Sequence, residues 1–202
     1  MADRNERMAL VAEEITNLVH SPLYEFRQQR HYHPVIGEGN LDAPIMVVGE
    51  APGEAEAKSG RPFVGASGRF LNELLASIGL QRQEIYITNV VKDRPPENRD
   101  PTTQEIALYS PFLVQQIDII RPNVIVTLGR FAMEFMLKLL NAEEQGGKIS
   151  ALHGKVIKAQ AAYGPVSLVP LFHPAVALYT TARRDELMAD FQVLKQFIHP
   201  AQ

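Results

Sequence analysis

The sequence predicts an α/β fold in which a central, mostly parallel sheet of four strands lies between two layers of helices. Short, continuous apolar runs alternate along the chain with longer segments whose apolar residues recur at helical spacing. Strands separated by helices pair in parallel through right-handed connections. The chain has 202 residues, no internal repeat and no long linker, so we expect one three-layer α/β/α domain over 1–202.

The predicted elements follow in order along the chain. Apolar residues at helical spacing predict helices over 6–19, 66–79, about 102–120, 130–140 and about 182–197. Continuous apolar runs predict buried strands over 45–49 (IMVVG), 85–91 (IYITNVV), 124–129 (VIVTLG) and 166–174 (VSLVPLFHP). Thr102 and Glu105 have the spacing of a capping box, which marks the start of the third helix. The stretches 21–44, 50–65 and 92–101 are expected to be loops.

Composition excludes several classes of protein. Hydrophobic residues make up 46% of the chain and charged residues 21%, which is typical of a globular domain and not of collagen, coiled coils or disordered chains. No apolar run approaches the roughly 18 residues of a membrane span, and the charged stretch 1–10 lacks the apolar centre of a signal peptide. We therefore expect a cytoplasmic protein without a membrane partner. Nothing in the sequence indicates an oligomer, so we expect a monomer.

Charge and the absence of cysteine narrow the chemistry. The net charge of −3 argues against a protein that coats nucleic acid generally, but it allows a local basic groove. Because the chain has no cysteine, it cannot form disulfides, use a catalytic thiol or bind zinc or iron through thiolates. His31 and His33 lie in a proline-containing loop, and no HExxH or HxxxH spacing exists, so no metal site is predicted.

Polar side chains follow the ends of several predicted strands. In open α/β sheets, ligands bind at the carboxyl ends of the strands. Glu50 and Glu56 follow the first strand, Asn89 lies late in the second, and His173 ends the fourth. Parallel strands bring these ends to one edge of the sheet, so the sequence predicts a candidate site there. The segment after the first strand is neither a P-loop nor a GxGxxG fingerprint, and GASG (65–68) is not a GxSxG elbow.

Each of these features also has a purely structural interpretation. The glycines and proline of 49–53 suffice for a tight turn, and His173 suffices as a hydrogen-bonded strand end. The amide of Asn89 needs partners if it is buried, either from loop backbone or from a ligand. Phe63 is compatible with the hydrophobic core, and the basic residues of 92–99 are compatible with a solvated loop. All of these features nevertheless lie at one end of the predicted sheet. If each were purely structural, this clustering would be a coincidence, so it weakens the structural interpretations as a group.

Five long segments of the chain form an ordered set of motifs. They are GEGNLDAPIMVVGE (37–50), GEAPGEAEAKSGRPFVGASGRFLNELL (49–75), TNVVKDRPPENRDPTTQEI (88–106), RPNVIVTLG (121–129) and LFHPAVAL (171–178). Together they resemble the family 4 uracil-DNA glycosylases, which are microbial base-excision enzymes. The resemblance implies an enzyme that flips uracil out of DNA and hydrolyses its N-glycosidic bond, releasing free uracil. It covers a motif-bearing core over about 37–198, preceded by an N-terminal helix and loop over 1–36.

The resemblance also implies roles for individual residues. The catalytic residues would be Glu50, Asn89 and His173, with Glu50 positioning water or stabilising the cationic sugar and His173 donating to uracil O2. Asn89 would donate to uracil O4 and accept from N3–H, a pattern that cytosine does not offer. Phe63 would stack on the base, and Glu56 would shape the C5 side of the pocket against thymine. The uracil-binding set is completed by the backbone of Gly49, Ala51 and Gly53.

Contacts to DNA are expected to be made mostly with phosphates. The candidates for these contacts are Ser67, Arg69, Lys92, Arg94, Arg99, Arg183 and Arg184. Leu178 is expected to be the apolar wedge that enters the duplex, with Tyr179 beside it, because such side chains partly unstack bases. Packing of Leu178 on the last helix is the alternative interpretation.

One departure from the family is large. Family members usually carry four cysteines that ligate a structural [4Fe–4S] cluster. The first two would fall at about Leu18 and Ser21, the third near Tyr109 and the fourth near Ile125 or Val126, and none of these residues is cysteine. Because thiolates are the ligands of such a cluster, we expect no cofactor. We also expect aromatic and apolar side chains to fill the vacated space.

Three other functions remain open on the sequence alone. They are a glycosylase for another deaminated base such as hypoxanthine or xanthine, a non-catalytic DNA module that binds uracil or lesions, and a nucleotide-binding domain unrelated to DNA. The joint presence of Glu50, Asn89 and His173 favours an enzyme, since binding alone needs no carboxylate. Ala51 stands where the strongest relatives in the superfamily keep an aspartate, so Glu50 acts from a different position or activity is modest.

Overall fold

The hydrophobic pattern of the sequence folds into a six-stranded sheet with helices on both faces. The computed structural model describes residues 3–198. The strands are β1 (Glu38–Gly39), β2 (Ile45–Gly49), β3 (Tyr86–Asn89), β4 (Val124–Leu128), β5 (Ile157–Ala161) and β6 (Gly164–Leu171). Their order across the sheet is β1-β3-β2-β4-β6-β5. The predicted α/β fold class, with a central sheet between helices, is therefore confirmed.

The sheet has six strands rather than the four that the sequence predicted. The central strands β3, β2, β4 and β6 are parallel and correspond to the four predicted apolar runs. The additional strands β1 and β5 pair antiparallel with β3 and β6 at the two edges. β1 is only two residues long, and β5 alternates between buried and more exposed residues. Neither strand therefore shows the continuous apolar run by which a strand buried on both faces is recognised.

The helices also match the prediction, with short additions. They are α1 (Arg4–Thr16), α2 (Tyr24–Gln29), α3 (Glu54–Ser59), α4 (Ala66–Ser77), α5 (Thr103–Ile120), α6 (Arg130–Leu139), α7 (Ile149–Leu152), α8 (Thr181–Phe191) and α9 (Lys195–Ile198). The helices α2 and α3 lie in stretches predicted to be loops, and a 3₁₀ turn separates α8 from α9. The capping box at the start of α5 is confirmed, because Thr102 and Glu105 each accept the other's backbone N–H. Within residues 3–198, no helix is both long and apolar enough to cross a membrane.

Successive residues of the central strands face opposite helical layers. Met46 and Val48 of β2 pack in the core formed with α1, α5 and α6, while Ile45 and Val47 pack in the core formed with α4 and α8. All five residues of β2 are buried. Because both faces of the central strands are covered, a ligand can approach them only at their ends. The carboxyl ends are the ones followed by the polar residues that the sequence singled out.

Candidate active site

The carboxyl ends of the central strands open into a cavity of about 460 Å³. This volume lies in the range of small-molecule binding sites, roughly 300–1,000 Å³. The predicted site residues that line it are Glu50, Ala51, Gly53, Glu56, Phe63, Ser67, Asn89, Arg99, His173 and Tyr179. The structure therefore brings these residues together as expected from the order of strands and helices. The role of each residue stays a prediction.

Close packing at the end of β2 depends on Gly49. Gly49 is the register partner of Asn89, the last residue of β3. A Cβ atom at Gly49 would lie 2.3 Å from Asn89 Oδ1 and 2.6 Å from Phe63 Cζ, which is closer than side-chain atoms pack. The Phe63 ring in turn lies 5.7 Å from the His173 ring, with an angle of 32° between their planes. Glycine at this position therefore allows the aromatic ring and the amide to meet at the strand end.

The turn that carries Phe63 is held by a carboxylate and a guanidinium. Phe63 has a φ of 51°, a left-handed conformation that is rare for an aromatic residue. Glu56 Oε1 accepts hydrogen bonds from the N–H groups of Val64 (2.9 Å) and Gly65 (2.8 Å). Arg82, 19 residues beyond Phe63, donates to the Phe63 carbonyl at 3.1 Å. Sequence reasoning missed Arg82, because no local pattern links its turn to the cavity.

Asn89 places an unpaired amide oxygen at the cavity. The residue is 1% exposed, and its Oδ1 atom has no hydrogen-bond partner among residues 3–198. A buried polar atom left without a partner costs about 1–3 kcal/mol. Loop backbone does not satisfy this oxygen, so the structure favours the interpretation that the Asn89 amide binds a ligand.

The prediction that Lys92 contacts DNA is wrong. Its side chain is completely buried. The Lys92 amine donates to Thr88 Oγ1 (2.7 Å), the backbone carbonyl of Asn89 (2.7 Å) and Gln116 Oε1 (2.6 Å). Burial lowers the pKa of Lys92 well below its usual value. Lys92 therefore supports Asn89 from the interior of the protein and does not reach phosphate.

Arg94 is also engaged within the protein. Its guanidinium donates to the hydroxyl of Tyr32 at 2.7 Å and to Asn98 Oδ1 at 2.8 Å. It also lies 3.7 Å from a carboxylate oxygen of Glu54, and its side chain is only 10% exposed. Arg94 therefore orders the loop after β3, and a phosphate could be bound there only by displacing these partners.

The other predicted DNA contacts are closer to the surface. Arg99 lines the cavity and binds Glu105 through two hydrogen bonds of 2.8 and 2.6 Å. Ser67 lines the cavity at the start of α4, and Arg69 is exposed two residues further on. Arg183 is exposed and makes an ion pair of 2.6 Å with a neighbouring carboxylate of α8.

The turn after His173 exposes two apolar side chains. Leu178 ends the 3₁₀ turn Pro174–Leu178 and is 50% exposed, and the following Tyr179 is 83% exposed. Arg184 lies nearby on α8, where it pairs with Glu73. This exposure is compatible with the predicted wedge, whereas full packing of Leu178 on α8 is not observed.

His173 is fixed in one tautomer. Its Nδ1 atom accepts a hydrogen bond from the Ala175 N–H at 3.2 Å, so the proton of the neutral ring is on Nε2. Burial lowers the pKa of His173 to about 4, although the charge of Glu56 opposes this effect. The ring is therefore neutral at physiological pH and presents one N–H donor. The structural interpretation, in which His173 is a hydrogen-bonded strand end, therefore accounts for the Nδ1 atom but not for Nε2.

Glu50 is the carboxylate of the cavity with the most altered acidity. Partial burial and, to a smaller extent, the charge of Asp100 raise its pKa while Arg130 lowers it, and the resulting pKa is about 7. A carboxyl group with this pKa is present in both protonation states at neutral pH, which suits a general base. The sequence indicated Glu50 but not the pair Asp100 and Arg130, whose charged atoms are 3.5 Å apart.

The residues implied for an iron–sulfur cluster do not fit one. Leu18 is buried and apolar, and Ser21 Oγ lies 2.7 Å from the hydroxyl of Tyr109. Ile125 packs in the same hydrophobic layer as Tyr109, whereas Val126 packs in the opposite layer, and both side chains are apolar. The group that does meet Tyr109 is Asp93, which accepts its hydroxyl proton at 2.5 Å and which the sequence did not indicate. The expectation of an aromatic and apolar filling was therefore only partly right.

No thiolate is available for iron at this place, because the chain has no cysteine. Within residues 3–198, no three histidine, aspartate or glutamate side chains are grouped in a way that could hold a metal ion.

Comparisons with known proteins agree with the geometry of the cavity. A family model described as the uracil DNA glycosylase superfamily matches residues 36–195. The chain is 49% identical to a type-4 uracil-DNA glycosylase of Archaeoglobus fulgidus over 78% of each chain. It is 41% identical to a type-4 uracil-DNA glycosylase of Thermotoga maritima over 98% of each chain. It is also 32% identical to a type-5 uracil-DNA glycosylase of Pyrobaculum aerophilum, over 80% of this chain and 75% of that one.

Proposed function

The chain belongs to the uracil-DNA glycosylase superfamily, and we propose that it removes uracil from DNA by hydrolysing the bond between the base and deoxyribose. The substrate is uracil-containing DNA, and the products are free uracil and an abasic site. The observation that carries the proposal is the unpaired Oδ1 atom of Asn89, a buried residue that lines the cavity together with Phe63 and His173.

The cavity offers groups that match a flipped uracil ring. Asn89 Oδ1 accepts from uracil N3–H, and the amide nitrogen donates to O4. The Phe63 ring stacks on the base, an interaction worth about 1–3 kcal/mol. Cytosine has an acceptor at N3 and a donor at C4, so in its place the Asn89 oxygen would face an acceptor and the Asn89 amide nitrogen would face a donor. Glu56, held beneath the Phe63 turn, limits the space at uracil C5 and disfavours thymine.

Hydrolysis requires stabilisation of a departing anion. The bond between uracil N1 and C1′ breaks, and its electron pair leaves with the base, where it is shared with O2. His173 Nε2–H donates to O2 as the negative charge develops. A neutral imidazole with Nδ1 already engaged by Ala175 is fixed in orientation for this donation. One such donor is worth roughly 10²–10³ in rate.

Glu50 acts on the sugar and on the attacking water. As the base leaves, C1′ becomes cationic and a water oxygen forms the new bond to it. The ionised Glu50 carboxylate stabilises the cation and takes the proton of the water, while the uracil anion takes a proton from solvent. Because burial raises the pKa of Glu50 to about 7, it accepts a proton readily near neutral pH. No oxidant or metal takes part in this balance.

Binding of DNA uses groups around the mouth of the cavity. Ser67, Arg69 and Arg99 contact phosphate there, and Arg183 and Arg184 contact it beside the exposed turn. Leu178 enters the base stack with Tyr179 next to it. With few free cations and a net charge of −3, affinity falls steeply with salt. The proposal places the enzyme in the cytoplasm as a monomer without a metal cofactor.

Of the other candidate functions, none is favoured by an observation. The similar proteins are named for uracil, not for hypoxanthine or xanthine. A non-catalytic module has no use for a carboxylate with a raised pKa in the same cavity as a neutral histidine donor.

The test uses an oligonucleotide with a single uracil, followed by alkali and separation of the strands on a gel. We expect strand scission by the wild-type protein, and a reduction of about 10²–10³-fold in the single-turnover rate for His173→Ala. Asn89→Ala should lose activity on uracil to a similar extent, because the base is no longer held. His153→Ala is the matched control, since this histidine is partly buried but does not line the cavity.

Two outcomes contradict the proposal. The first is tight binding of uracil-containing DNA by the wild type without scission, which indicates a lesion-binding module. The second is equal activity of His173→Ala and the wild type, which removes the leaving-group donor from the mechanism.

A further inference from the structure

Four buried polar side chains form a continuous hydrogen-bonded network beneath the loop that follows β3. The members of this Asp93 network are Ser21, Arg27, Asp93 and Tyr109. Ser21 Oγ lies 2.7 Å from the Tyr109 hydroxyl, which donates to Asp93 Oδ2 at 2.5 Å. Arg27 Nη1 lies 3.2 Å from each carboxylate oxygen of Asp93. All four residues are at most 5% exposed.

The network joins three segments that are distant in the sequence. Arg27 lies on α2, Tyr109 on α5, and Asp93 just after β3. Arg27 also donates to the backbone carbonyls of Ile15 (3.3 Å) and Thr16 (2.6 Å), so the end of α1 is tied to the same point. Burying a guanidinium and a carboxylate is favourable only when their hydrogen-bonding groups are satisfied, and here they are. The arrangement therefore fixes the position of Asp93 relative to the N-terminal segment and α5.

Asp93 stands at the base of the loop that forms one wall of the cavity. Pro95, Asn98 and Arg99 of this loop line the cavity. Glu97 and Asn98 both have left-handed φ angles, of 56° and 54°, which a loop keeps only when its ends are held in place. The loop returns to the body of the protein at Thr102, the cap of α5. Asp93 and Thr102 are thus its two anchors, and the network holds the first.

We propose that the Asp93 network is a positioning device that holds the cavity-facing loop 94–100 in its DNA-binding arrangement. It lies where the family resemblance implies a metal cluster, and it ties the same regions together through O–H and N–H groups. None of its members touches the base or the reacting atoms, so they are positioning residues. The activity part of this inference rests on the proposed glycosylase function, whereas the ordering of the loop does not.

The experiment compares two tyrosine variants that each lose one buried or partly buried hydroxyl. Tyr109→Phe breaks the link between Ser21 and Asp93. Tyr163→Phe is the matched control, because its hydroxyl donates only to the Pro122 carbonyl at 2.8 Å, outside the network. For Tyr109→Phe we expect the KM for uracil-containing DNA to rise about 2- to 30-fold, with kcat within about twofold of the wild type. Tyr163→Phe should change neither quantity, even if both variants melt at lower temperature.

Hydrogen–deuterium exchange provides a second measurement that does not need activity. We expect amides of 94–100 to exchange faster in Tyr109→Phe than in Tyr163→Phe, at a temperature well below the melting of both. Ser21→Ala is the milder variant if Tyr109→Phe does not fold, and it should shift KM and exchange in the same direction. Combined with Tyr109→Phe, it should add little to the exchange of 94–100, since Ser21 reaches Asp93 through Tyr109, whereas its bond from the Leu23 N–H (3.1 Å) holds the chain before α2.

The outcomes separate this inference from the proposed function. If the wild type shows no scission while exchange in 94–100 still responds to Tyr109→Phe, the glycosylase function fails and the positioning role stands. If KM and exchange are the same in Tyr109→Phe and Tyr163→Phe, the network contributes stability alone and the inference is wrong.

Discussion

Asn89 and Asp93 are four positions apart in the sequence, both are about 1% exposed, and they differ completely in their partners. Asp93 accepts hydrogen bonds from Tyr109 and Arg27, while Oδ1 of Asn89 has no partner among residues 3–198. Burial of a polar group is therefore no sign of function by itself. A buried group beside a cavity that lacks a hydrogen-bond partner indicates a ligand, whereas a buried group with all its hydrogen bonds made indicates a structural role.

Lys92 lies between these two regions and belongs to both. Its amine is fully engaged, like Asp93, yet one of its bonds goes to the backbone of Asn89. The short segment 89–93 therefore contains three kinds of residue. Asn89 is the ligand-binding end, Lys92 supports it from the interior, and Asp93 is the structural end. Three sets of substitutions follow from this comparison: one at Gly49 beside Asn89, one at Lys92, and one at the charges around Glu50 in the same cavity.

The largest effect is expected from Gly49→Ala at the ligand-binding end. The new Cβ atom would lie 2.3 Å from Asn89 Oδ1 and 2.6 Å from the Phe63 ring, so both groups must move. We expect kcat/KM on uracil-containing DNA to fall by at least about 10²-fold, because misplacement of about 1 Å has this effect on catalysis. Steady-state kinetics together with thermal melting measures both activity and folding. Activity near the wild-type level in a folded variant would show that the close approach of Asn89 and Phe63 to Gly49 is unimportant.

An intermediate effect is expected from Lys92→Met, measured as the pH dependence of stability. In the folded protein the pKa of Lys92 lies well below its usual value of 10.5, so the unfolded state binds a proton that the folded state does not. Stability therefore rises with pH from the lowered pKa up to 10.5, by at most about 1.4 kcal/mol per pH unit. Lys92→Met should remove this rise. Urea unfolding at a series of pH values measures it.

Lys158→Met is the matched control for this change, because Lys158 is exposed on β5. Its stability curve should follow that of the wild type over the same range of pH. If Lys92→Met retains the full slope, the buried amine stays charged in the folded protein over this range of pH, and the slope comes from other groups.

The smallest effect is expected from the charges around Glu50. Activity needs the ionised carboxylate, so kcat/KM should rise with pH through about 7, the pKa of Glu50. Arg130 lowers this pKa and Asp100 raises it. Arg130→Gln should therefore move the rise to higher pH, and Asp100→Asn should move it to lower pH, with changes of at most about tenfold in activity at pH 7.

The position of the rise on the pH axis is the measured quantity, because Arg130→Gln also removes a positive charge that attracts DNA. Arg130→Lys keeps this charge and should leave the rise near its wild-type position. If Arg130→Gln and Asp100→Asn shifted the rise in the same direction, this would contradict the role of Glu50 as the titrating base.

The sequence predicted the parts of the molecule that depend on local pattern. Continuous apolar runs located the four central strands, and the polar residues at their ends converged as expected from parallel topology. The edge strands β1 and β5 were missed, because two residues or an alternating pattern do not stand out from loops. The three short helices outside the predicted ones are held by tertiary packing rather than by a periodic apolar face.

Contacts between distant segments were the part that sequence reasoning could not supply. Lysine is rarely buried, so Lys92 in a basic loop was expected to face phosphate. Asp93 and Arg27 carry no local signal of their pairing, and Arg82 approaches Phe63 from a separate turn. These positions follow from the packed structure, in which the nearest partner of a side chain is often far away along the chain.

The chemical make-up of the Asp93 network has a consequence for the conditions under which the protein holds together. Its links are hydrogen bonds and an ion pair supplied by the polypeptide itself. None of these bonds involves a thiolate, since the chain has no cysteine. The corner of the molecule beneath the 94–100 loop is thereby joined by bonds that neither a chelator nor an oxidant of thiols removes.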